Sequence, residues 1–416
     1  MVIAEVVGVG IFLTPAAMMR ALGTLERALA LWGAMGALTF AGALCYAELS
    51  TRFPRAGGTY VFLEEAFGTR CAFVYGWMSL LVMDPGLTAA LSIGGAQYLL
   101  SALGADARLL TPVALALIAG FAVLTLLGMQ VSARILRWTA AAKVIAVGLL
   151  VASALGRWSQ GLTTAALAAP ALTPSIVAPA VIAAFFAFGG WWDLGRMSED
   201  VETPRRTLPR AMLGGVVAVA GIYVLISVAL ILGGPDGNIA SDEALVTMTG
   251  SRLFGAAAAR LLALIVVTAV AGSLAAVMLG APRVYLAMAR DGLFSARLLH
   301  FDERRGTAPG GTLIQAVLAS VLVLIGNFNE ILGFFVPGAV FFLGLSAAAV
   351  LVLPRPAAGD THVFRAPFHP LPILFFLVLI VAMLVLFVAG QPRETAIGAA
   401  IIALGVPVSF IVTRRN

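Results

Sequence analysis

The sequence predicts an all-α membrane protein with twelve transmembrane helices. Of its residues 61% are hydrophobic and only 11% are charged, and the mean hydropathy is +1.03. A soluble domain averages about 45–50% apolar and about 25% charged residues, so the composition excludes an ordinary soluble fold. Apolar runs long enough to cross a bilayer recur along the whole chain, at 1–20, 28–49, 71–102, 110–129, 138–156, 176–195, 211–232, 255–288, 312–328, 331–353, 370–390 and 395–413.

Arginine is distributed unevenly between the loops that face opposite sides of the membrane. With the N-terminus in the cytoplasm, eighteen arginines fall in the inward loops or at the C-terminus and seven in the outward loops. This excess follows the positive-inside rule and predicts a multi-pass protein of the cell inner membrane with both termini cytoplasmic. The basic residues are spread over separate short loops, so the pI near 9.9 does not indicate nucleic-acid binding.

The sequence carries no pattern of an enzyme, a cofactor site or a metal site. There is no Walker motif, nucleophile elbow or complete GxGxxG, and the three histidines lack metal-ligand spacing. Two cysteines, Cys45 and Cys71, are too few for a disulfide scaffold. We therefore expect no catalytic residue, metal or cofactor, and expect a small-molecule substrate and the lipid bilayer as partners. The sequence does not indicate an oligomeric state.

Two of the predicted spans are interrupted by glycine at matching places, the first span at Gly8 and the sixth span at Gly189. These glycines are 181 positions apart (189 − 8), with five membrane-length segments in that interval. Glycine weakens a helix and exposes its peptide groups, which a bilayer tolerates only where they face protein, water or a ligand. Paired broken helices indicate the binding site of a secondary transporter. We expect residues 7–11 and 187–191 to be non-helical and to face each other; the alternative is close helix packing alone.

The two breaks divide the chain into two repeats of five spans. Because five is odd, the second repeat enters the membrane from the opposite face, so the repeats are inverted. We expect the first repeat at 1–157, the second at 176–353, and two additional helices at 370–413. Only seven residues precede Gly8, about 10 Å of helix, so the first span is expected to lack its start.

Three ionisable side chains fall at membrane depth, where an unpaired charge costs roughly 2.5–3.5 kcal/mol on insertion scales. Lys143, the only lysine, lies in the fifth span, Glu5 precedes the first break, and Asp84 lies mid-way along the third span. All three are candidate coupling residues, and the two acids are candidate proton carriers. The alternatives are snorkelling for the lysine and structural pairing for the acids. Pro85 removes a backbone donor and is expected to kink the third span.

Aromatic and charged residues surround the second break. Phe186 and Trp191 are candidate gates for a small amphipathic ligand, with ordinary packing as the alternative. The break is followed by a turn of mixed charge at 198–206. Its acids and arginines suit ion pairs that lock an inner gate, although a solvated loop would have the same composition.

The motifs resemble those of the amino acid–polyamine–organocation permeases, especially their L-type branch. The segment from Gly8 to Phe12, followed by Thr14 and Pro15, is similar to the GSGIF-x-x-P signature. Later landmarks follow in order, at 46–60, 186–205, 283–292 and 364–367. The resemblance implies alternating access and a LeuT-type fold of five plus five inverted spans with two extra C-terminal helices.

The resemblance also implies an amino acid whose carboxylate meets backbone amides near Gly8, at the start of a half-helix, where the helix dipole also favours an anion. Its ammonium group would meet carbonyls on the two broken spans. The residues predicted to bind substrate are Val6, Gly8, Val9, Gly10, Ile11, Phe186, Phe188 and Gly189.

Lys143 matches the fifth-span lysine that replaces a sodium ion in sodium-independent members, with Ser273 of the eighth span as its hydroxyl partner. Two residues depart from the L-type pattern. Val9 stands where that pattern has a serine, and Glu5 stands where asparagine is common.

The sequence thus predicts a sodium-independent secondary active transporter of amino acids that works by exchange or proton coupling. Neutral amino acids are favoured because the identified pocket residues are apolar or aromatic. Two alternatives stay open. One is a polyamine or cationic amino acid antiporter, in which Glu5 or Asp84 recognises the distal charge, and the other is a membrane sensor of the same fold without net flux.

Overall fold

The computed structural model describes residues 10–130, single positions between 132 and 148, and residues 170–233, 251, 255–295, 300–356 and 363–413. Within these residues the regular secondary structure is helical, apart from one isolated β-bridge between Asp302 and Thr307. The first nine residues and most of the predicted fifth span lie outside the described residues.

The described helices are α1 (Gly10–Leu13), α2 (Pro15–Leu22), α3 (Leu25–Arg52), α4 (Thr59–Phe67), α5 (Thr69–Met78), a π turn (Ser79–Met83), α6 (Asp84–Leu103), a short 3-10 helix (Ala107–Leu109), α7 (Leu110–Leu126), α8 (Pro174–Phe188), a long 3-10 helix (Trp191–Asp200), α9 (Pro204–Gly233), α10 (Ala256–Gly280), α11 (Pro282–Arg290), α12 (Pro309–Ile325), α13 (Phe328–Val352), α14 (Leu371–Gly390) and α15 (Pro392–Val412).

Within the described residues, nine helical stretches are long and apolar enough to cross a membrane, and α12 is a shorter apolar helix. Together they coincide with ten of the twelve predicted spans. The first predicted span is described only from Gly10 onward, and the fifth lies mostly outside the described residues. The multi-pass, all-helical class is therefore confirmed, whereas the count of twelve stays a prediction.

The core brings together spans that the repeat hypothesis makes equivalent. The second and seventh spans, α3 and α9, pack along each other, and so do α6 of the third span and α10 of the eighth. The first and sixth spans meet where α1 contacts α8. By contrast, Val378, Val381 and Val385 on α14 are exposed, as expected of a helix that faces lipid.

The third span is distorted on the N-terminal side of Pro85. Pro85 has no N–H group to continue the helical hydrogen bonds. The chain instead forms the π turn Ser79–Met83, in which the N–H group of Asp84 donates to the carbonyl oxygen of Ser79. The distortion expected at this proline is thus a π turn, a feature frequently found at functional sites.

The sixth span breaks over two residues, Gly189 and Gly190. Helix α8 ends at Phe188, Gly190 has a φ of 105°, and the long 3-10 helix begins at Trp191. A positive φ of this size favours glycine. The expectation of non-helical backbone is therefore confirmed for the two glycines. It is wrong for Ala187 and Phe188, which still belong to α8, and for Trp191, which begins the 3-10 helix.

Gly10 lies so close to the sixth span that there is no room for a side chain. A Cβ atom at this position would lie 2.6 Å from Cα of Ala187. Gly10 and Ile11 belong to α1, so the expectation of non-helical backbone is wrong for these two residues, and residues 7–9 lie outside the described residues. The first and sixth spans face each other as expected, and close packing accounts for the glycine at position 10.

We expect Gly10→Ala to lower the free energy of unfolding by about 1–3 kcal/mol, the usual range for overpacking a core. The measurement is thermal unfolding of the purified protein in detergent. The matched control is Gly33→Ala on α3, where an added Cβ meets nothing within 4 Å and helix propensity improves. Equal unfolding temperatures for Gly10→Ala and wild type would contradict the contact between α1 and α8.

Candidate functional site

Peptide groups of the first and sixth spans have partners elsewhere in the protein. At the break of the sixth span, the N–H group of Gly189 donates to the carbonyl oxygen of Phe186 at 3.0 Å. The hydroxyl of Tyr223, on α9, donates to the carbonyl oxygen of Ala187. In the first span, the carbonyl oxygen of Phe12 accepts a hydrogen bond of 2.9 Å from the hydroxyl of Tyr98 on α6. A tyrosine from a neighbouring span thus holds each of these two spans.

Tyr98 and Tyr223 are not among the residues predicted from the sequence. Both are fully or almost fully buried in apolar helices. A buried tyrosine usually finds a hydrogen-bond partner for its hydroxyl. An isolated tyrosine in an otherwise apolar span is therefore a signal that would have identified them, although it does not specify the carbonyl that accepts the hydrogen bond.

The aromatic residues around the break pack against three different helices. The Phe186 ring contacts Phe328 and Phe335 of α13, with ring centroids 5.5 and 6.3 Å apart. Trp191 packs edge-on against Tyr46 of α3 at 5.1 Å.

Phe188 contacts Trp32 of α3 and Tyr223 of α9, with ring centroids 5.8 and 5.1 Å apart. All three rings of the sixth span are buried against their neighbours, and the gating roles of Phe186 and Trp191 stay predictions.

Asp84 lies in a buried group of charged and hydroxyl side chains. Its Oδ1 atom accepts a hydrogen bond of 2.9 Å from Nη1 of Arg196. Its Oδ2 atom accepts hydrogen bonds from Ser79, in the π turn, and from Tyr285 of α11 at 3.1 Å. Three donors from three elements therefore stabilise the Asp84 carboxylate, which is the arrangement expected of structural pairing.

Arg196 occupies the centre of this group. Its Nε atom lies 2.8 Å from Oδ1 of Asp193, in the same 3-10 helix, and its Nη2 atom donates to the hydroxyl of Tyr75 at 3.2 Å. The Arg196 and Asp84 side chains are only 3% and 4% exposed.

Arg196 and Arg283 are two of the eighteen arginines that the sequence places in inward loops or at the C-terminus, and both are buried in protein. Without these two, sixteen inward arginines (18 − 2) remain against seven outward ones, so the bias is retained.

A second set of contacts closes the end of the bundle that carries Arg52, Arg55 and Arg290, here called the arginine-rich end. Oε2 of Glu199 accepts hydrogen bonds from the N–H group of Ala56 at 3.1 Å and from Nη1 of Arg290 at 3.2 Å. The hydroxyl of Ser198 donates to the carbonyl oxygen of Arg55 at 3.0 Å. The charged turn after the break thus forms an ion pair, as the sequence suggested.

The buried Tyr60 and the exposed Asp291 add a further hydrogen bond at the same end. The hydroxyl of Tyr60 donates to Oδ2 of Asp291 at 2.7 Å. Burial raises the pKa of Tyr60, and the hydrogen bond and negative charge of Asp291 raise it further, whereas the charge of Arg55 lowers it. The phenol therefore keeps its proton and remains a donor at neutral pH.

Several predicted site residues lie outside the described residues, namely Glu5, Val6, Gly8, Val9 and Lys143. Ile11 is fully buried, and Ser273 is buried on α10. Among the residues that the structure describes, no group of three or more His, Cys, Asp or Glu side chains could hold a metal ion. The binding and coupling assignments therefore stay predictions.

The sequence is similar to those of several curated amino acid transporters. It is 28% identical to the serine/threonine exchanger SteT of Bacillus subtilis over 384 residues, which cover 90% of this chain and 86% of the exchanger. It is 26% identical to the human cystine/glutamate transporter over 99% of this chain and 83% of that protein. It is 27% identical to the mouse Asc-type amino acid transporter 1 over 99% of this chain and 79% of that protein.

The model of the amino acid permease family matches residues 1–411, almost the whole chain. This match extends over the first and sixth spans and over the residues before 411 that the structure does not describe. It confirms the resemblance seen in the sequence motifs, and it agrees with the prediction that the protein is a transporter and not an enzyme. The chain belongs to the amino acid permease family.

Proposed function

We propose that this protein is a secondary active transporter that exchanges amino acids across the membrane by alternating access. The observation that carries the proposal is the match to the amino acid permease family along the chain. The relatives reported above are named as exchangers or transporters of amino acids, which supports exchange.

The fold that we propose has twelve spans in a five-plus-five inverted repeat with two further helices. Its support is the packing of the second span on the seventh, the third on the eighth, and the first on the sixth. In an inverted repeat of five spans, the equivalent of each span comes five spans later in the chain. Equivalent elements that lie near the two-fold axis contact each other, as these three pairs do. The arginine excess supports an inner-membrane protein with both termini in the cytoplasm, so that the arginine-rich end faces inward.

We place the substrate between the first-span segment from Val6 to Ile11 and the sixth-span residues Phe186, Phe188 and Gly189. The start of a half-helix favours the carboxylate, and carbonyls near the sixth-span break favour the ammonium group. The buried rings of Phe186 and Phe335 and the partly buried ring of Phe328 pack together on this side of the sixth span. An apolar, aromatic lining supports a neutral amino acid. The named substrates of the relatives differ from one another, so they do not select one amino acid.

We propose that transport is independent of sodium because Lys143 takes the place of the ion. An ammonium group offers three donors and one positive charge, and Ser273 of α10 supplies a hydroxyl acceptor. Glu5 would lie beside this site. The three donors to Asp84 support a structural role for that carboxylate, so the coupling role falls on Lys143.

In proteoliposomes preloaded with unlabelled neutral amino acids, the protein should take up a labelled neutral amino acid faster than in empty proteoliposomes. The physical reason is that, in an exchanger, the binding site returns to the outside faster when it carries an internal amino acid than when it is empty. Protein-free liposomes give the background. Replacing sodium by choline should leave the rate unchanged, and a pH gradient tests proton coupling. Uptake stimulated by sodium, or no uptake of any neutral amino acid, would contradict the proposal.

Val9→Ser should tighten amino acid binding by about 0.5–1.5 kcal/mol, the net value of one neutral hydrogen bond. The new hydroxyl would donate to the substrate carboxylate. The measurement is the Kd of the purified protein, and Val9→Ala is the matched control because it shortens the side chain without adding a donor. If both variants changed the Kd equally, Val9 would not face the carboxylate.

Lys143→Ala should reduce the exchange rate more than the affinity, because the proposed ammonium bridge stabilises one conformation and does not contact the substrate. Ser273→Ala should act in the same direction with a smaller effect. Exchange rates in proteoliposomes and Kd values in detergent measure the two quantities. A Lys143→Ala variant that lost affinity and kept its maximal rate would assign the lysine to the substrate instead.

A further inference from the structure

We propose that Arg196 is a positioning residue for transport, a clasp that holds the long 3-10 helix against the third span while the arginine-rich end is closed. The clasp opens at two contacts, from Arg196 to Asp84 and from Arg196 to Tyr75. Arg196 keeps its contact with Asp193, and Asp84 keeps its hydroxyl donors. Because it assumes alternating access, this inference rests on the proposed function.

The long 3-10 helix has the features of a mobile element. Ten residues, Trp191–Asp200, form it, whereas 3-10 helices longer than three or four residues are uncommon because their hydrogen-bond geometry is poor. It joins α8 only through the glycine pair at 189 and 190, where the backbone is left-handed at Gly190. The segment is therefore attached by a flexible joint and has a weaker hydrogen-bond ladder than an α-helix.

The third span, by contrast, is a fixed support. Its α6 packs along α10 and α12 and also contacts α7 and α13. Gln315 of α12 donates to the hydroxyl of Thr88 at 2.9 Å, and this hydroxyl in turn donates to the carbonyl oxygen of Asp84. Asp84 is thus tied to the surrounding helices through its own backbone as well as through its carboxylate.

The partners of Arg196 divide into one that moves with it and two that do not. Asp193 is three residues earlier in the same 3-10 helix, at 2.8 Å from Nε. Asp84 and Tyr75 belong to the third span, at 2.9 and 3.2 Å from Nη1 and Nη2. If the 3-10 helix leaves the third span, Arg196 keeps Asp193, and Asp84 keeps the hydroxyls of Ser79 and Tyr285.

This division solves an electrostatic problem. Removing one partner of a buried ion pair is strongly unfavourable because it leaves an uncompensated charge in a medium of low dielectric constant. Here neither charge is left alone when the interhelical contact opens, so the clasp can release without burying a bare guanidinium or carboxylate. A simple ion pair between Arg196 and Asp84 would not have this property.

The other contacts of the 3-10 helix at this end are weaker. The Glu199–Arg290 pair is about half exposed, with side-chain exposures of 46% and 52%. Exposed ion pairs contribute little because water and salt screen them. The buried clasp is therefore the principal charged contact that keeps the 3-10 helix in place.

Ser50 offers a reporter for the movement. Its hydroxyl is fully buried, has no hydrogen-bond partner among the described residues, and lies 3.0 Å from where a Cβ of Gly195 would be. Replacing it by cysteine therefore sacrifices no described hydrogen bond. A cavity of about 470 Å³, lined by Thr51 and residues of the turn at 202–206, opens next to this position. A thiol at position 50 stays covered while the 3-10 helix is in place.

The experiment measures the rate at which a small thiol reagent labels Ser50→Cys in purified protein that carries Cys45→Ala and Cys71→Ala, without substrate. Adding Asp84→Asn should raise this rate about tenfold or more, because it removes one charge of the buried pair. Adding Asp193→Asn is the matched control. It should leave the rate at or below that of Ser50→Cys alone, because Arg196 keeps its contact with the third span and the open form loses the charge that accompanies Arg196.

The proposal would be overturned if the folded Asp84→Asn protein were labelled no faster than the Ser50→Cys protein without it. It would also be overturned if Asp193→Asn were labelled as fast as Asp84→Asn or faster. If Asp84→Asn does not fold, Arg196→Lys decides, because one ammonium cannot reproduce the three separate contacts of the guanidinium. It should raise labelling, and an unchanged rate would overturn the clasp.

Exchange assays separate a moving clasp from a merely structural ion pair. Asp84→Asn should change the turnover rate by a larger factor than the Kd for the amino acid. Absence of amino acid uptake by the wild-type protein would contradict the proposed function alone, since the labelling measurement needs no substrate and tests only the clasp.

Discussion

The broken sixth span is the constraint on which much of this structure depends. A helix interrupted in an apolar interior exposes peptide groups that water cannot reach, so other parts of the protein must supply partners. Tyr223 satisfies the carbonyl of Ala187, and Gly189 donates back to Phe186. The close approach of Gly10 to Ala187 then excludes any side chain at position 10. A break, a supporting tyrosine and a glycine contact are therefore one arrangement, and each requires the others.

Burying Arg196 imposes the second constraint. A guanidinium that is almost fully buried needs several acceptors in defined directions. The third span provides one of them through its π turn, which places Ser79 beside Asp84 and so completes the donors to this carboxylate. Pro85 therefore has a consequence beyond its own lost hydrogen bond. The irregular backbone of the third span and the charge in the sixth span fit each other.

The sequence was informative where a property is local and additive, and less so where it depends on tertiary contacts. Apolar length identified ten spans that the structure describes, and glycine identified the break at 189 and 190. The extent of the break was overestimated, because α8 packing keeps Ala187 and Phe188 helical. Arg196 was assigned to a loop, because a solvated loop and a buried ionic cluster can have the same local sequence of an arginine close to acids. Which donor meets which carbonyl, as with Tyr98 and Phe12, follows only from how the spans pack.

The glycine joint and the clasp lie at opposite ends of one short segment, and this gives a physical reason for exchange. A ligand shifts an equilibrium only by its difference in affinity for the two states. In the proposed mechanism, a substrate beside Phe186 and Gly189 would contact the start of the 3-10 helix, and Arg196 lies less than two 3-10 turns beyond Trp191. Movement about the glycine pair would then displace Arg196 relative to Asp84. An empty transporter would keep the clasp closed because nothing would offset the lost interhelical contact. A bound amino acid would supply that offset, so the loaded form would cross more readily than the empty one, which is the property that makes a carrier an exchanger.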